Sequence, residues 1–356
     1  MSTTKTFRVG FTADLIGATK QSAESAAAKI FDPLPNLEWN ILPATSGFSP
    51  ESSWEGASGV ADPEIIDHYD ALVVLGYHFP PEAFTGIKRL TCLARWGVGF
   101  DRINVPACTE ADVLLAITPN AVRRPVAEGI IALILAVAKD IRSFDIRTRA
   151  GEWRPEQCRG VCIEGRTLGS VGVGNIAGEL FHMARGMGFG GLIGYDPFVT
   201  KEQAERMGVE LVDLPTLMRE SDFVTINVPL NEHTEGLIGA TELALMKPSA
   251  YLINTARGPV VDEDALIGVL QHGKIAGAGL DVFEEEPVPK NNPLLKLDNV
   301  IVAPHSIAWT EESIRDIGLD ACRNVRNVYK GKAPDYLANP EAVERPGVQA
   351  KLARRM

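Results

Sequence analysis

Gly172-Val173-Gly174-Asn175-Ile176-Ala177 follows a strand-like run and opens a helical one, the setting in which a glycine-rich turn can hold a pyrophosphate. Gly172 permits a tight turn, and Gly174 lets the backbone approach phosphate oxygens at the positive end of a helix. Ala177 takes the third position, where a small residue packs helix on strand. The next strand-like run, Leu192 to Tyr195, leads into Asp196, 22 residues past Gly174, near the spacing of a ribose-binding acid. A carboxylate there accepts from ribose hydroxyls and repels a 2′-phosphate, which points to NAD rather than NADP. With 33 glycines in the chain, a chance cluster is the alternative for the motif. A solvated turn acid before Pro197 is the alternative for Asp196.

Arg257 offers a planar, permanently charged fork suited to a carboxylate and an adjoining carbonyl oxygen; an interlobe salt bridge is its other reading. It falls between the run Tyr251 to Asn254 and a helix that Asp262 can cap, that Leu266, Val269 and Leu270 stripe, and that Gly273 can end. His305 comes just past the run Val300 to Ala303, on the edge where a parallel sheet opens its ligand crevice. Taken alone, a histidine there is more often a satisfied structural residue. In Gly97-Val98-Gly99 the small residues allow close backbone approach or simply make a strand-to-helix turn.

Positioning these residues takes two sets of alternating elements. Apolar runs at Phe7 to Phe11, Leu37 to Leu42, Ala71 to Leu75, Leu90 to Ala94 and Val113 to Ile117 make a first parallel sheet with crossover helices. Runs at Leu168 to Val173, Leu192 to Tyr195, Phe223 to Val228, Tyr251 to Asn254, Ala276 to Val282 and Val300 to Ala303 make a second. Between them, Pro125 to Ile141 is apolar on every face and predicts a buried helix that links domains or packs in a dimer. Glu312 to Tyr329 predicts a last helix, and the remainder, with Pro334, Pro340 and Pro346, an irregular extension.

The 356 residues suit two cores rather than one. A hydrophobic content of 45% with 23% charged residues is that of an ordinary globular chain. The net charge of -11 provides no field for nucleic acid or anionic lipid. The polar start, Met1 to Thr6, lacks the apolar core of a signal peptide, and the run Ile130 to Ala138 is too short to span a bilayer. Cys92, Cys108, Cys158, Cys162 and Cys322 form no disulfide-type pattern, which fits a reducing cytoplasm. Cys158 and Cys162, the closest pair, match no zinc spacing and read as structural, so no metal is expected.

From Arg95 onward the order of motifs resembles the D-isomer-specific 2-hydroxyacid dehydrogenase family over roughly two thirds of the chain. The residues are Arg95-Trp96-Gly97-Val98-Gly99-Phe100-Asp101, the glycine motif, Asn227-Val228-Pro229-Leu230, Asn254-Thr255-Ala256-Arg257-Gly258, Leu280-Asp281-Val282-Phe283-Glu284-Glu285-Glu286-Pro287, and Ala303-Pro304-His305. The glyoxylate/hydroxypyruvate reductases and the phosphoglycerate dehydrogenase-like members are the relevant branches. The resemblance implies an α/β fold of two Rossmann-like lobes with parallel sheets. One is a flavodoxin-like substrate lobe, residues 1–118 plus 307–356; the other, residues 119–306, is an NAD-binding Rossmann lobe inserted into it. The last helix then returns to pack on the first, and a homodimer joins through the NAD lobes.

It also implies roles. His305 is the acid for reducing a 2-keto acid and the base for oxidising the D-2-hydroxy acid. Glu286 orients the imidazole and favours its charged form, while Glu284 and Glu285 stay solvated. Arg257 binds the small anionic substrate's carboxylate, with the Val98 and Gly99 amides. From the residues themselves, Trp309 is the favoured wall for the substrate side chain and Trp96, Trp153, Arg123 and Arg124 are left open, with core packing and surface charge as the other reading of all five. Gly172, Gly174, Asn175, Ile176, Asp196, Val228, Pro229, Thr234, Thr255, Ala256, Arg257, Asp281 and His305 line NAD, Asp281 accepting from the carboxamide. Asn227 departs from the histidine that the family often has, and Ser306-Ile307-Ala308-Trp309 falls in a variable stretch. Glu286, where formate dehydrogenases usually have Gln, disfavours formate. An NAD-sensing, corepressor-like binding protein on the same fold is the competing function.

Overall fold

The computed structural model describes residues 6–42, 59–154 and 159–354; Met1 to Lys5 and Cys158 lie outside them. The chain divides into two compact units, Met1–Val122 with Trp309–Met356, and Arg123–Ala308.

In the first unit β1 (Phe7–Phe11), β2 (Leu37–Ile41), β3 (Ala71–Val74), β4 (Cys92–Arg95) and β5 (Leu114–Ala116) form a parallel sheet of order β2-β1-β3-β4-β5. Strands β3 and β5 are buried along their whole length, as continuous apolar runs must be when helices cover both faces. The order reverses between β1 and β3, a topological switch point of the flavodoxin kind. The helices Gly17–Ile30 and Glu311–Tyr329 pack together here, Ser22 Oγ donating to the Ile314 carbonyl at 2.8 Å. Thr310 caps the second helix by accepting from the Ser313 amide, and Ile317, Ala321, Cys322, Val325 and Val328 bury one stripe of it.

The expected irregular extension is instead ordered. It forms a 3-10 turn at Pro340–Glu344 and a helix at Pro346–Ala353. Long-range polar contacts fix it. Asn339 accepts from the Leu115 amide and donates to the Val113 carbonyl, closing the free edge of β5. The buried Lys351 ammonium donates to the carbonyls of Leu90, Ala111 and Asp112 at 2.8–3.0 Å.

The second unit carries β6 (Thr167–Val171), β7 (Gly191–Tyr195), β8 (Glu210–Leu211), β9 (Phe223–Ile226), β10 (Tyr251–Asn254), β11 (Gly277–Leu280) and β12 (Val300–Val302). They pair in parallel in the order β12-β11-β10-β9-β6-β7-β8, the doubly wound arrangement whose ligand crevice lies where β6 and β9 meet. The two-residue edge strand β8 was not expected. The helix placed at Pro125 to Ile141 runs instead over Pro119–Ala138 with Pro125 inside it, because Pro119 takes the first helical position, where its missing N–H costs nothing. Nor is this helix buried on every face: Ile130, Leu133 and Ile134 are, whereas Ile131, Leu135 and Val137 are partly exposed. Among the described residues no helix is long and apolar enough to cross a membrane.

Candidate active site

The parallel strands of the second unit end along one edge, and the motif residues leave from it. Gly172 follows β6 with φ +93°, a backbone that side chains disfavour; a Cβ there would stand 2.5 Å from the Asn227 carbonyl oxygen, across the switch point. Gly174 forms the cap of the helix Asn175–Arg185 without a side-chain cap bond, so the first-turn N–H groups have no side-chain acceptor there. A Cβ on Gly174 would meet nothing within 4 Å. Ala177 is fully buried in the helix-to-sheet contact. An open, uncapped helix start of this kind is suited to cradle an anion such as a pyrophosphate.

Asp196 follows β7. Its Oδ2 accepts from the Val173 amide and its Oδ1 from the Phe198 amide, both at 2.9 Å. It therefore braces the glycine turn, with lone pairs remaining on both oxygens for ribose hydroxyls. Asn227, after β9, donates to Ser170 Oγ and Thr225 Oγ1 and so ties the two strands at the switch. Thr255, after β10, has a buried Oγ1 with no protein partner among the described residues, an orphan that a cofactor in this crevice would satisfy. Together with the uncapped helix it shows that these residues fit a dinucleotide. Val228 is half-buried and Pro229 exposed. Thr234 Oγ1 donates to the Pro229 carbonyl at 2.6 Å and accepts from the Asn231 amide, shaping that loop.

The His305–Glu286 pair lies on the other side of the switch. His305 follows β12 in a left-handed backbone, φ +52°, which a non-glycine residue holds only when its surroundings enforce it. The enforcement comes from Asp281 after β11: its carbonyl accepts from the His305 amide at 2.7 Å, and its carboxylate takes the Ser306 and Ile307 amides. Burial pushes the Asp281 carboxyl above its ordinary range, against those two amides and the nearby His305, which act to lower it. His305 Nδ1 stands 2.7 Å from Glu286 Oε2, and Glu286 Oε1 accepts from the Phe283 amide at 2.9 Å. Nδ1 thus carries a proton towards the carboxylate. Glu284 and Glu285 are exposed; partial desolvation and the acids Glu263, Asp264, Asp262 and Glu235 raise the Glu284 carboxyl. Arg257 begins the turn after β10, where Asn254 Nδ2 holds its carbonyl and the Asn254 side-chain oxygen holds the Ala256 amide. Its Nη1 donates to the Ala256 carbonyl at 2.7 Å.

In the first unit Gly97 follows β4 with φ +123°. The Thr118 hydroxyl accepts from the Gly97 amide at 3.0 Å, and both the hydroxyl and the amide of Thr118 donate to the Gly97 carbonyl. Arg95 Nε donates to the Gly99 carbonyl at 2.5 Å, and its Nη1 to the Trp96 carbonyl. Asp14, buried at the β1–β3 switch, accepts from the Gly76 amide at 2.6 Å; burial raises its carboxyl above the ordinary value, against Thr12, Gly76 and Arg95. Thr118 and Asp14 belong to none of the expected motifs; their one legible mark is that each comes within three residues of a strand's carboxyl end. Trp96 is buried, Trp309 is 41% exposed and Trp153 79%. Arg124 pairs with Glu128 and Glu179, and Arg123 is exposed. Cys162 is exposed, so it has no core-packing role.

Residues 131–306 match the family model described as D-isomer specific 2-hydroxyacid dehydrogenase, NAD binding domain. A glyoxylate reductase of Korarchaeum cryptofilum is 38% identical over 293 residues, covering 80% of this chain and 88% of that protein. This chain belongs to the D-isomer specific 2-hydroxyacid dehydrogenase family. The D-3-phosphoglycerate dehydrogenase of Methanocaldococcus jannaschii is 40% identical over 290 residues, 80% of this chain but 55% of that protein, so this family member spans about half the length of the phosphoglycerate dehydrogenases that it matches. The D-lactate dehydrogenase of Aquifex aeolicus, solved with NAD and lactic acid, superposes with a TM-score of 0.78 at 27% identity, covering 93% of this chain and 98% of that one.

Proposed function

We propose that this chain interconverts a 2-keto acid and its D-2-hydroxy acid with NAD as the hydride carrier. The observation that carries the reading is the His305–Glu286 pair, Nδ1 to Oε2 at 2.7 Å, on the same sheet edge as the dinucleotide cradle. NAD, when bound, supplies or accepts the hydride. Gly172, Gly174, Asn175, Ile176 and Asp196 hold its pyrophosphate and adenine ribose, and Val228, Pro229, Thr234, Thr255, Ala256 and Asp281 border the remainder. His305 gives the proton from Nε2 to the carbonyl oxygen during reduction and takes it back during oxidation. Glu286 orients the imidazole by accepting from Nδ1. Arg257 binds the substrate carboxylate and adjoining oxygen, aided by the Val98 and Gly99 amides, with Trp309 beside the substrate side chain. The first unit is the substrate-binding domain and the second the NAD-binding domain.

Exposed Ile141, Ile146 and Trp153 on the second unit support a homodimer through that unit, and the buried free thiols Cys92, Cys108 and Cys322 support a cytoplasmic location. The test is a panel of glyoxylate, hydroxypyruvate and pyruvate, each assayed with NADH and NADPH. NADH-dependent reduction of at least one is expected; turnover of none overturns the reading.

A further inference from the structure

Two anchors fix the turn that follows β4. The Gly97 amide donates to both the Arg95 carbonyl and Thr118 Oγ1, at 3.0 Å each, and the Gly97 carbonyl accepts from the Thr118 amide at 3.0 Å and its hydroxyl at 3.2 Å. One residue thus grips both polar groups of Gly97. Across the planar trans peptide, the Val98 N–H points opposite to the Gly97 carbonyl, hence away from Thr118. On the far side of the turn Arg95 holds the Gly99 carbonyl. Among the described residues the Val98 and Gly99 amides donate to no protein oxygen, although buried or half-buried donors are normally paired. Thr118 is itself 1% exposed, so its hydroxyl has no solvent role.

We infer that Thr118 is a positioning residue: its hydroxyl holds Gly97 so that the Val98 and Gly99 amides face outward as a preformed receptor for the substrate carboxylate. The inference rests on the reading of those amides given above. A carboxylate is present in both ground and transition states, so weakening its receptor raises KM and leaves kcat nearly unchanged.

The test compares Thr118→Val, which keeps shape but loses the hydroxyl, with Thr118→Ser, which keeps it. Thr118→Val leaves the Gly97 N–H its bond to the Arg95 carbonyl and the Gly97 carbonyl its bond to the Thr118 N–H, so no buried group is orphaned and the variant folds. The expected result for Val is a KM for the keto acid raised about 5- to 10-fold, with kcat and NADH affinity within about twofold. Hydrogen exchange of the Gly97 amide should also quicken about 10-fold, since two of the four bonds on Gly97 are gone; Ser should restore both readouts. A Val variant with unchanged KM and exchange overturns the inference, as does a Ser variant no better than Val. If the wild type reduces no keto acid, the functional reading fails on its own, and the exchange comparison alone decides whether Thr118 holds the turn.

Discussion

Replacing Glu286 by Gln tests the acid-base pair through geometry rather than size. The carboxylate accepts twice: Oε1 from the Phe283 amide at 2.9 Å and Oε2 from His305 Nδ1 at 2.7 Å. An amide has one acceptor oxygen and one donor nitrogen. If the Gln oxygen stays on the Phe283 amide, its NH2 faces Nδ1, and the ring is forced into the tautomer with the proton on Nε2, which cannot accept from a hydroxy acid. If the oxygen turns to Nδ1, NH2 meets the Phe283 N–H, donor against donor. A charge-assisted bond of about 1.5–3 kcal/mol is lost, and about 1 kcal/mol or more is added by the mismatch. The sum, about 2.5–4 kcal/mol, corresponds to a loss of roughly 10²- to 10³-fold in kcat/KM. Steady-state kinetics in both directions, with NADH affinity measured by fluorescence, is the assay. A loss smaller than about 10-fold, or one matched by weaker NADH binding, would refute this account of the pair.

Asp196→Ala removes the brace on the Val173 and Phe198 amides and the proposed acceptor for ribose, so NADH should bind about 10- to 100-fold more weakly while discrimination against NADPH falls, as titration of both would show. Burial pushes the Cys92 thiol up to about 12 from 9.0; the unfolded chain therefore releases its proton first, and stability present below pH 9 is lost as pH rises. Integrated from pH 8 to 10.5 this amounts to about 2 kcal/mol. Urea unfolding under reductant should show Cys92→Ala losing that much less than wild type over the same range. Lys351→Met leaves the Leu90, Ala111 and Asp112 carbonyls without their ammonium and should destabilise the first unit by about 3 kcal/mol, with NADH affinity unchanged; equal stability by urea denaturation would contradict it.

The continuous apolar runs and the residues that end them were legible because parallel strands buried on both faces have no polar alternation to confuse, and because ligand residues leave such sheets at one edge. Local chemistry was legible as well: Asp262 caps its helix on the Ala265 amide as its spacing predicts. What stayed hidden depends on distance along the chain. Asn339 meets Leu115 and Lys351 meets Leu90 across 224 and 261 residues, and no local pattern announces that three carbonyls await a lysine. Strand β8 is hidden for another reason: two residues, the exposed Glu210 and the half-buried Leu211, are too short a run to show a period. Thr118 reads as an ordinary residue before a proline, and its grip on Gly97 appears only once β4 and β5 lie side by side.

His305 is proposed to exchange the proton while most contacts to NAD come from other residues. Turnover of a keto acid that the wild type reduces, measured beside NADH affinity in His305→Ala, tests it most directly. The expected result is a D-configured product from the wild type and a loss of at least about 10³-fold in kcat for the variant, with NADH bound within about threefold. A variant that retains turnover would contradict it.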